Sequence, residues 1–585
     1  MKKYLIFIKT LLILCLVCFF LIACNTKKNA GIEDSPTSLK LQLSERPNIL
    51  WLVTEDMGPY IPPFGDSAIQ TPNLSRLANE GIRYPKMFSP SGVCAPSRAA
   101  ITTGMYPTSI GASHMRTKSN VQQTGLPAYE AVPPSKVKML SELLRMNGYY
   151  CTNNSKEDYQ FKAPITAWDE SSNYAHWRNR AEGQPFFAVF NFNETHESGL
   201  FEPYAHRNSE TRHYHAGDTG YTWSKKRAVE KTTVHIAEDI DFPIPPYLPN
   251  NEIVRRDMWK MYNNIAEMDK QLGAVLKQLE GDGLLENTIV FFFGDHGGPL
   301  PRQKRLIYDS GLNTPMIIRF PNQQKAGSWD RQLISFIDLA PTLLSLAGIA
   351  PPEYMQGQAF LGEHQAKEKR KYIHGAADRF DEVTDAIRAV RDDQFKYIRN
   401  YRTEQGYYLP LNYRERIPIM QELLRLRDEG KLDDIQAQWF RESKTPEELF
   451  DCKADPHELN NLASDPAYKE KLVELRLEMD CWVKNIGDQP NLPEMELITQ
   501  LWGGATIKPT TANPIINSLD GKISITCPTE GASLGYKIID QDGTKPKVWL
   551  VYQEPFTLPE ASKLLVQAHR IGFEPSEIVE NTIVN

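Results

Sequence analysis

A short string that begins at Cys94 places a thiol beside a fixed positive charge at the start of a helix. The residues from Cys94 to Arg98 read Cys-Ala-Pro-Ser-Arg, and the next six end in Gly104, a residue typical of helix ends. A helix N-terminus favours a bound anion, and the arginine guanidinium stays charged. A buried structural cysteine is the commoner fate of a lone Cys, but it does not account for the adjoining Pro-Ser-Arg. The string therefore predicts a reactive side chain beside an anion site.

Acidic residues follow two apolar, strand-like runs elsewhere in the chain. Glu55 and Asp56 end the run over 47–54, and Asp295 and His296 end the run over 288–293. Because the carboxyl ends of parallel strands meet at one edge of a sheet, we expect these four side chains to lie together. Carboxylate oxygens are hard ligands that suit Ca²⁺, whereas the nitrogen of a histidine is less suited to it. The pattern predicts a metal site.

Lysine and histidine follow further apolar runs. Lys156 comes shortly after the run over 148–152, and His196 follows the run over 185–192. One polar strand end would be an ordinary turn. Several such ends, each with an acid, a lysine or a histidine, indicate one shared site.

The elements that must position these residues alternate between strands and helices. Helical spacing of apolar residues predicts helices over 71–81, 257–280 and 338–348, between apolar runs that read as buried strands. This alternation predicts an α/β fold with a mixed, mostly parallel sheet sandwiched by helices. Beyond residue 350 the pattern changes to an α+β subdomain, and alternating residues after a linker at 508–514 predict a small β-sandwich-like module.

The N-terminus reads as an export signal. A basic start and an apolar run lead to Leu-Ile-Ala-Cys24, the pattern of a bacterial lipoprotein in which the Cys is lipidated. The alternative is an uncleaved transmembrane anchor, for which the run is just long enough. We expect a chain tethered by lipid in the bacterial cell envelope, periplasmic or surface-exposed. The complete predicted organisation is a signal peptide over 1–23, a flexible tether over 24–45, a catalytic α/β domain over 46–360, a C-terminal subdomain over 361–507 and the β module over 508–585.

The net charge bears on the class of partner, and the cysteines bear on metal clusters and disulfides. The 585 residues include 66 Lys and Arg against 73 Asp and Glu, a net charge of −7, so we expect no nucleic-acid partner. Five cysteines follow Cys24, with no Cys-x-x-Cys spacing, which argues against a zinc cluster. A Cys452–Cys481 disulfide is possible in an oxidising envelope.

Four motifs in order resemble the type I, formylglycine-dependent sulfatases. They are the Cys-x-Pro-Ser-Arg string at Cys94, the block from Arg46 to Leu74, the Gly-Asp-His-Gly block at 294–297 with Lys304, and the block from Glu448 to Leu462. Together they cover about residues 46–490. The N-terminal block most resembles the heparan N-sulfatase-like branch and its bacterial relatives. The resemblance implies an alkaline-phosphatase-like fold.

The resemblance also implies a catalytic centre. A maturation enzyme would oxidise Cys94 to formylglycine, whose hydrate has one hydroxyl to attack sulfur and a second to expel sulfate. Glu55, Asp56, Asp295, His296 and position 94 would hold one Ca²⁺, which polarises the sulfate. Arg98, Lys156 and Lys304 would grip the sulfate, and His196 would protonate the leaving group.

Three positions depart from the family pattern. The first metal ligand is usually Asp, and here it is Glu55; the last is often Asn, and here it is His296, a form that the family also carries. The usual His two positions after Lys156 is replaced by Asp158, which removes the usual base for sulfate release. Four further residues are candidates for sugar recognition, with ordinary surface polarity as the alternative: His114, Arg116, Asp378 and Arg379.

These observations predict a lipid-anchored sulfatase that acts on sulfated carbohydrate. The esters, or N-sulfates, would belong to oligosaccharides from glycosaminoglycans or from algal polysaccharides such as ulvan. One alternative is a formylglycine-dependent phosphodiesterase or phosphonate hydrolase, because phosphate and sulfate esters have similar shapes. Another is an envelope carbohydrate-binding protein in which Cys94 is never converted.

Overall fold

The structure, a computed structural model, describes residues 46–204, 234–539, 543, 546–558 and 563–582. The predicted signal peptide, the tether and the lipidation residue Cys24 lie outside the described residues. Every helix within those ranges is too short or too polar to cross a bilayer.

A nine-stranded sheet forms the centre of the molecule. Its strands are β1 (Asn48–Thr54), β2 (Ile82–Phe88), β3 (Tyr150–Asn154), β4 (Glu170–Ser171), β5 (Phe186–Phe192), β6 (Thr288–Gly294), β7 (Asn313–Arg319), β8 (Ser328–Trp329) and β9 (Ile334–Ser335). The order is β4-β3-β5-β1-β6-β7-β2-β8, with β9 also paired to β2. All strand pairs are parallel except the two that β7 makes with β6 and β2. The predicted mixed, mostly parallel sheet is confirmed, and β7 is its reversed strand.

Helices cover both faces of the sheet. They are α1 (Pro72–Glu80), α2 (Cys94–Thr103), α3 (Val121–Thr124), α4 (Leu140–Met146), α5 (Glu252–Gly281), α6 (Asp309–Leu312) and α7 (Leu339–Leu346). On one face Leu50 and Phe292 share a core with Leu272 of α5. On the other face Trp51 and Phe336, which precedes α7, both pack edge-on against Phe293. Side chains that alternate along β1 and β6 therefore enter two separate cores.

Two helix starts differ from the sequence expectation for identifiable reasons. Helix α5 begins five residues before the predicted 257, because the Asn251 side chain accepts a hydrogen bond from the backbone N–H of Val254 at 3.1 Å. Thr71 does not cap α1 with its side chain. Asp269 of α5 does so from outside, since its carboxylate accepts the backbone N–H of Leu74 at 2.8 Å.

The described residues after 350 form three antiparallel sheets and three α-helices. The first sheet is β10 (Ile373–Ala377), β11 (Ile387–Arg391), β12 (Phe395–Asn400) and β13 (Glu447–Asp451), accompanied by α8 (Pro418–Asp428), α9 (Lys469–Ile486) and α10 (Glu494–Leu501). The other two consist of β14 (Ile515–Leu519), β15 (Lys522–Thr526), β16 (Ser533–Ile539), β17 (Leu550–Val551), β18 (Phe556–Thr557), β19 (Lys563–His569) and β20 (Val579–Thr582).

The last two sheets share a core, as a sandwich does. Ile523 and Ile525 of one sheet pack with Leu564 and Val566 of the other. The sandwich also contacts the predicted catalytic domain, since the buried Ser533 hydroxyl donates a hydrogen bond to the carboxylate of Glu142 at 2.6 Å. The domain boundaries at 360 and 507 stay predictions.

The five described cysteines are all free thiols. Cys452 is buried beside β13, whereas Cys481 is exposed on α9. The possible Cys452–Cys481 disulfide is therefore wrong, because the two side chains face different environments and do not meet.

Candidate active site

The adjacent strands β1 and β6 bring two pairs of predicted ligands together. Thr54 and Gly294 are paired in register, so the residues that follow them leave the sheet side by side. The backbone N–H of Asp56 donates to the carboxylate of Asp295 at 3.0 Å. Asp56 has a φ of +47°, a left-handed conformation that turns the chain back over the sheet edge. The expectation that the acids meet at one sheet edge is confirmed.

Cys94 is the first residue of α2 and has no exposed surface. Its Sγ lies 3.5 Å from Nε2 of His296, 3.7 Å from Nζ of Lys304 and 3.9 Å from Oδ1 of Asp56. Burial raises the pKa of the Cys94 thiol, but Lys156 and Lys304 outweigh burial and leave the pKa below its usual value. The site thus favours negative charge at this position.

Arg98, one turn further along α2, fixes the carboxylates of both strand ends. Its Nε lies 3.1 Å from Oδ2 of Asp295, and its Nη2 lies 3.2 Å from Oε1 of Glu55. Its third nitrogen donates to the Asn191 side chain on β5 at 2.8 Å. One buried guanidinium therefore ties α2 to β1, β5 and β6, and the two carboxylates hold the pKa of Arg98 above its usual value although burial opposes this.

Two lysines complete the positive side of the centre. Nζ of Lys304 lies 2.7 and 2.8 Å from the carboxylate oxygens of Asp56. Nζ of Lys156 lies 2.6 Å from Oε1 of Glu55 and 3.6 Å from Oδ2 of Asp158. Both ammonium groups are thus held where they face the Cys94 side chain.

The donor set fits a divalent cation. Ligand atoms of Asp56, Cys94, Asp295 and His296 lie within 4.8 Å of one another, and Glu55 joins an overlapping group with Asp56 and Cys94. Burial lowers the pKa of His296, but the carboxylates of Asp295 and Asp56 raise it by more, and the resulting pKa is about 10. A cation is therefore strongly favoured at this point. Carboxylates with one imidazole are donors that Ca²⁺ accepts, with the oxygens as its better ligands.

His196 stands at the edge of this centre. Its Nδ1 is 2.8 Å from the Ser198 hydroxyl and accepts the Ser198 backbone N–H at 3.2 Å, which fixes the ring. Its Nε2 then points toward Glu55, 3.9 Å from Oε2, and 13% of the side chain is exposed. A nitrogen at the mouth of the site is where a proton donor to a departing group would act.

Glu197 and Arg305, which sequence reasoning missed, support the residues of the centre. The Glu197 carboxylate accepts two hydrogen bonds from Arg305, each 2.8 Å long, while its backbone N–H donates to Asp56 at 2.7 Å. Nζ of Lys304 lies 3.4 Å from the same carboxylate. Their positions in the sequence could have indicated them, because Glu197 directly follows His196 and Arg305 directly follows Lys304.

Of the four candidates for sugar recognition, one lies beside the centre and is substantially exposed. Arg116 is 41% exposed, with Nη1 3.8 Å from Oδ1 of Asp158. His114 is buried with Nε2 3.7 Å from Glu494. Arg379 is paired with the same Glu494 at 2.7 Å.

Asp378 is also held by an ion pair, since Nη1 of Arg388 lies 2.7 Å from its carboxylate, and both residues belong to the C-terminal subdomain. His114, through Glu494, and Arg379, through the backbone oxygen of Met115, join the catalytic domain to that subdomain. Arg116 stays the strongest candidate for sugar recognition.

A further group of potential metal ligands already contains a cation. Asp309, Cys452 and Glu458 lie close together. Nζ of Lys396 is 2.6 Å from Asp309 and 2.8 Å from Glu458. This buried lysine occupies the space that an ion would need.

Comparison with known proteins identifies the family. The domain family described as Sulfatase matches residues 47–349, and the one described as N-sulphoglucosamine sulphohydrolase, C-terminal, matches residues 300–442. An ulvan-active sulfatase of Formosa agariphila is 62% identical over 99% of this chain and 98% of its own. Human N-sulphoglucosamine sulphohydrolase is 24% identical over 74% of this chain and 89% of its own.

Solved structures confirm the fold. The structure of BT4656 in complex with its substrate D-glucosamine-2-N,6-O-disulfate superposes with a TM-score of 0.51 and 20% identity, over 77% of this chain and 99% of that one. The match of the Sulfatase domain to more than half of the chain, together with the 62% identical relative, shows that this chain belongs to the sulfatase family and is a sulfuric ester hydrolase.

Proposed function

We propose that this sulfatase removes sulfate from oligosaccharides of a sulfated polysaccharide, such as ulvan or a glycosaminoglycan, with a formylglycine made from Cys94 and one bound Ca²⁺. The convergence of Arg98, Lys156 and Lys304 on the buried Cys94 position carries the proposal. The 62% identical ulvan-active relative supports ulvan as the first substrate to test.

Charge balance explains why this centre suits a sulfate ester. Glu55, Asp56 and Asp295 supply three negative charges, and the three cations Arg98, Lys156 and Lys304 face them at 2.6–3.2 Å. The fixed side chains are therefore close to neutral as a group. A divalent cation adds two positive charges, and the anionic substrate with an ionised nucleophile offsets them.

Each side chain then has a defined task. Ca²⁺, when bound, would polarise the sulfate, and the hydrated formylglycine would supply the nucleophilic oxygen. Glu55, Asp56, Asp295 and His296 would hold the ion, and Arg98 keeps the carboxylates of Glu55 and Asp295 in place. Lys156 and Lys304 bind the sulfate oxygens as charge moves onto them.

His196 serves the leaving group. With Nδ1 fixed by Ser198, only Nε2 is available to donate a proton to the departing sugar oxygen. Asp158 stands where the family usually has a histidine. Burial raises its pKa, but Lys156 and Arg116 outweigh burial and leave it below its usual value. Asp158 is thus a weak base, and its proposed task is to orient Lys156.

We further propose that lipidation of Cys24 tethers the enzyme in the cell envelope. The sequence pattern before Cys24 supports this. Radiolabelled palmitate incorporated into the wild type but not into Cys24→Ala would establish the anchor, and equal incorporation in both would reject it.

The test of the activity combines modification and turnover. The full chain is produced with a formylglycine-generating enzyme, and the peptide that contains Cys94 is analysed by mass spectrometry. Sulfate release is measured on ulvan and glycosaminoglycan oligosaccharides, with a phosphodiester as the counter-substrate. We expect conversion at position 94 and sulfate release that Cys94→Ala reduces by several orders of magnitude. An unconverted thiol, or preference for the phosphodiester, would reject the proposal.

A further inference from the structure

An aromatic surface adjoins the catalytic centre on the side of His196. The His196 ring lies 6.3 Å from the ring of Tyr413, and the Tyr413 ring lies 5.2 Å from that of Phe201. Phe201 directly follows the short 3₁₀ helix Glu197–Leu200 that His196 caps. Tyr413 comes from the C-terminal part of the chain, just before α8. Two distant segments therefore build this surface next to the proposed proton donor.

Tyr413 also faces the charges of the centre. Its hydroxyl interacts with the Ser198 side chain, and Glu197, Lys304 and Arg116 are the charged groups that act on it most strongly. The ring is half-buried, so one part supports the site and another part is open. A leaving group that departs from the sulfate on the side of His196 would then contact the Tyr413 ring.

Arg416 covers the outer end of the aromatic surface. The Arg416 guanidinium carbon lies 4.2 Å from the centre of the Phe201 ring and 5.8 Å from that of Tyr413. The side chain is exposed, and no carboxylate of the described residues lies within ion-pair distance of it. Stacking on a ring restrains a guanidinium while leaving its N–H edge free to bind.

We propose that Phe201, Tyr413 and Arg416 form a subsite for the sugar next to the sulfated one, and that this neighbouring sugar carries an anionic group. The apolar face of a pyranose would pack on the rings. The guanidinium would bind a carboxylate or a second sulfate through paired hydrogen bonds. The inference rests on the proposed function, because it places the leaving group beside His196.

The test compares three sulfated disaccharides. One carries a uronate beside the sulfated sugar, one carries the same sugar with its carboxyl group reduced to an alcohol, and one carries a second sulfate there. The wild type should prefer an anionic substrate over the reduced one. Arg416→Gln should lower kcat/KM for that anionic substrate about tenfold, mainly through KM, because a charged hydrogen-bonded contact is lost. If Arg416→Gln removes the preference for the uronate substrate, the recognised group is a carboxylate. If it removes the preference for the doubly sulfated substrate, the recognised group is the second sulfate.

Matched variants separate recognition from general damage. Arg441 is also an exposed arginine stacked on a ring, with its guanidinium carbon 4.7 Å from the centre of Tyr407, so Arg441→Gln should leave the substrate preference unchanged. Arg416→Lys should restore only part of the preference, since an ammonium lacks the paired N–H groups. An Arg416→Gln enzyme that keeps the full preference would overturn the subsite. Failure of the wild type to release sulfate from any carbohydrate would instead overturn the proposed function.

Discussion

Glu197 and Arg305 form a two-pronged buried ion pair with both N–H···O distances at 2.8 Å. Each directly follows a residue of the proposed centre, so the pair joins the His196 turn to the Lys304 loop. Asp381 holds the third nitrogen of Arg305 at 2.7 Å. The pair therefore sets the distance between the proposed proton donor, His196, and the proposed sulfate-binding Lys304.

Glu197→Gln should lower kcat about 10- to 100-fold with little change in KM, because supporting partners of a metal-centred site typically matter to this extent. Glu80→Gln is the matched control, since Glu80 pairs with the buried Arg319 at 2.8 Å. Arg319 lies opposite Val290 near the start of β6, whereas Asp295 follows the other end of that strand. Glu80→Gln should lower the melting temperature and leave kcat unchanged. If the two variants lose only stability, and to a similar degree, Glu197 has no positioning role.

Removal of a proposed ligand should remove the metal. Asp295→Ala and Asp56→Ala should each abolish sulfate release and lower bound Ca²⁺, measured by elemental analysis, well below one ion per chain. Glu458→Gln provides the control, because Lys396 fills the other acidic cluster. Its metal content should equal that of the wild type. One full equivalent of metal in Asp295→Ala would contradict the ligand assignment.

Asp158→Asn should slow turnover at least about tenfold by impairing sulfate release, since Lys156 loses the neighbour that orients it. Protein quenched during turnover should then carry covalent sulfate, which intact-protein mass spectrometry detects. The Arg116→Gln variant loses the other partner of Asp158 and serves as the comparison. Unchanged turnover and no added sulfate mass in Asp158→Asn would remove this carboxylate from the mechanism.

His176 should make stability depend on pH. Burial lowers its pKa to about 4, and the charge of Arg178 lowers it too, although the hydrogen bond to Gln278 opposes the shift. The neutral ring accepts the backbone N–H of Arg178. The unfolded chain binds this proton near pH 6.5. The contribution to the free energy of unfolding is therefore complete above pH 6.5 and is lost as the pH falls to about 4, by about 3 kcal/mol.

His176→Asn keeps an acceptor for the Arg178 N–H and removes the titration. Denaturant unfolding at pH 7 and pH 4.5 should show a smaller loss of stability on acidification in this variant than in the wild type. Identical losses in both proteins would show that His176 does not titrate as described.

The sequence predicted the residues of the centre better than the residues that hold them in place. Asp295 and His296 could be placed because the strand before them is a clear apolar run. The Glu197–Arg305 contact joins residues 108 positions apart and depends on how two loops fold, which no local pattern reports. The same limit applies to Asp378, whose partner Arg388 becomes visible only when β10 and β11 pair.

Strand direction was also beyond local reasoning. The apolar run in β7 reads like those of its neighbours, since a strand buried on both faces has the same composition in either direction. The connection between Gly294 and Asn313 contains only the brief helix α6, and it returns the chain antiparallel beside β6. A crossover helix long enough for a parallel return is absent from these fully described residues.

The complete burial of Cys94 limits when the proposed oxidation of its thiol can take place. Every residue of α2 is buried, and the side chain at its start has no exposed surface once α2 has docked on the sheet. Under the proposed function, a separate maturation enzyme would have to reach this thiol before α2 docks, so oxidation would compete with folding. The ratio of the two rates would then fix the fraction of active molecules, and a chain that folds first would keep its thiol for as long as the native state persists.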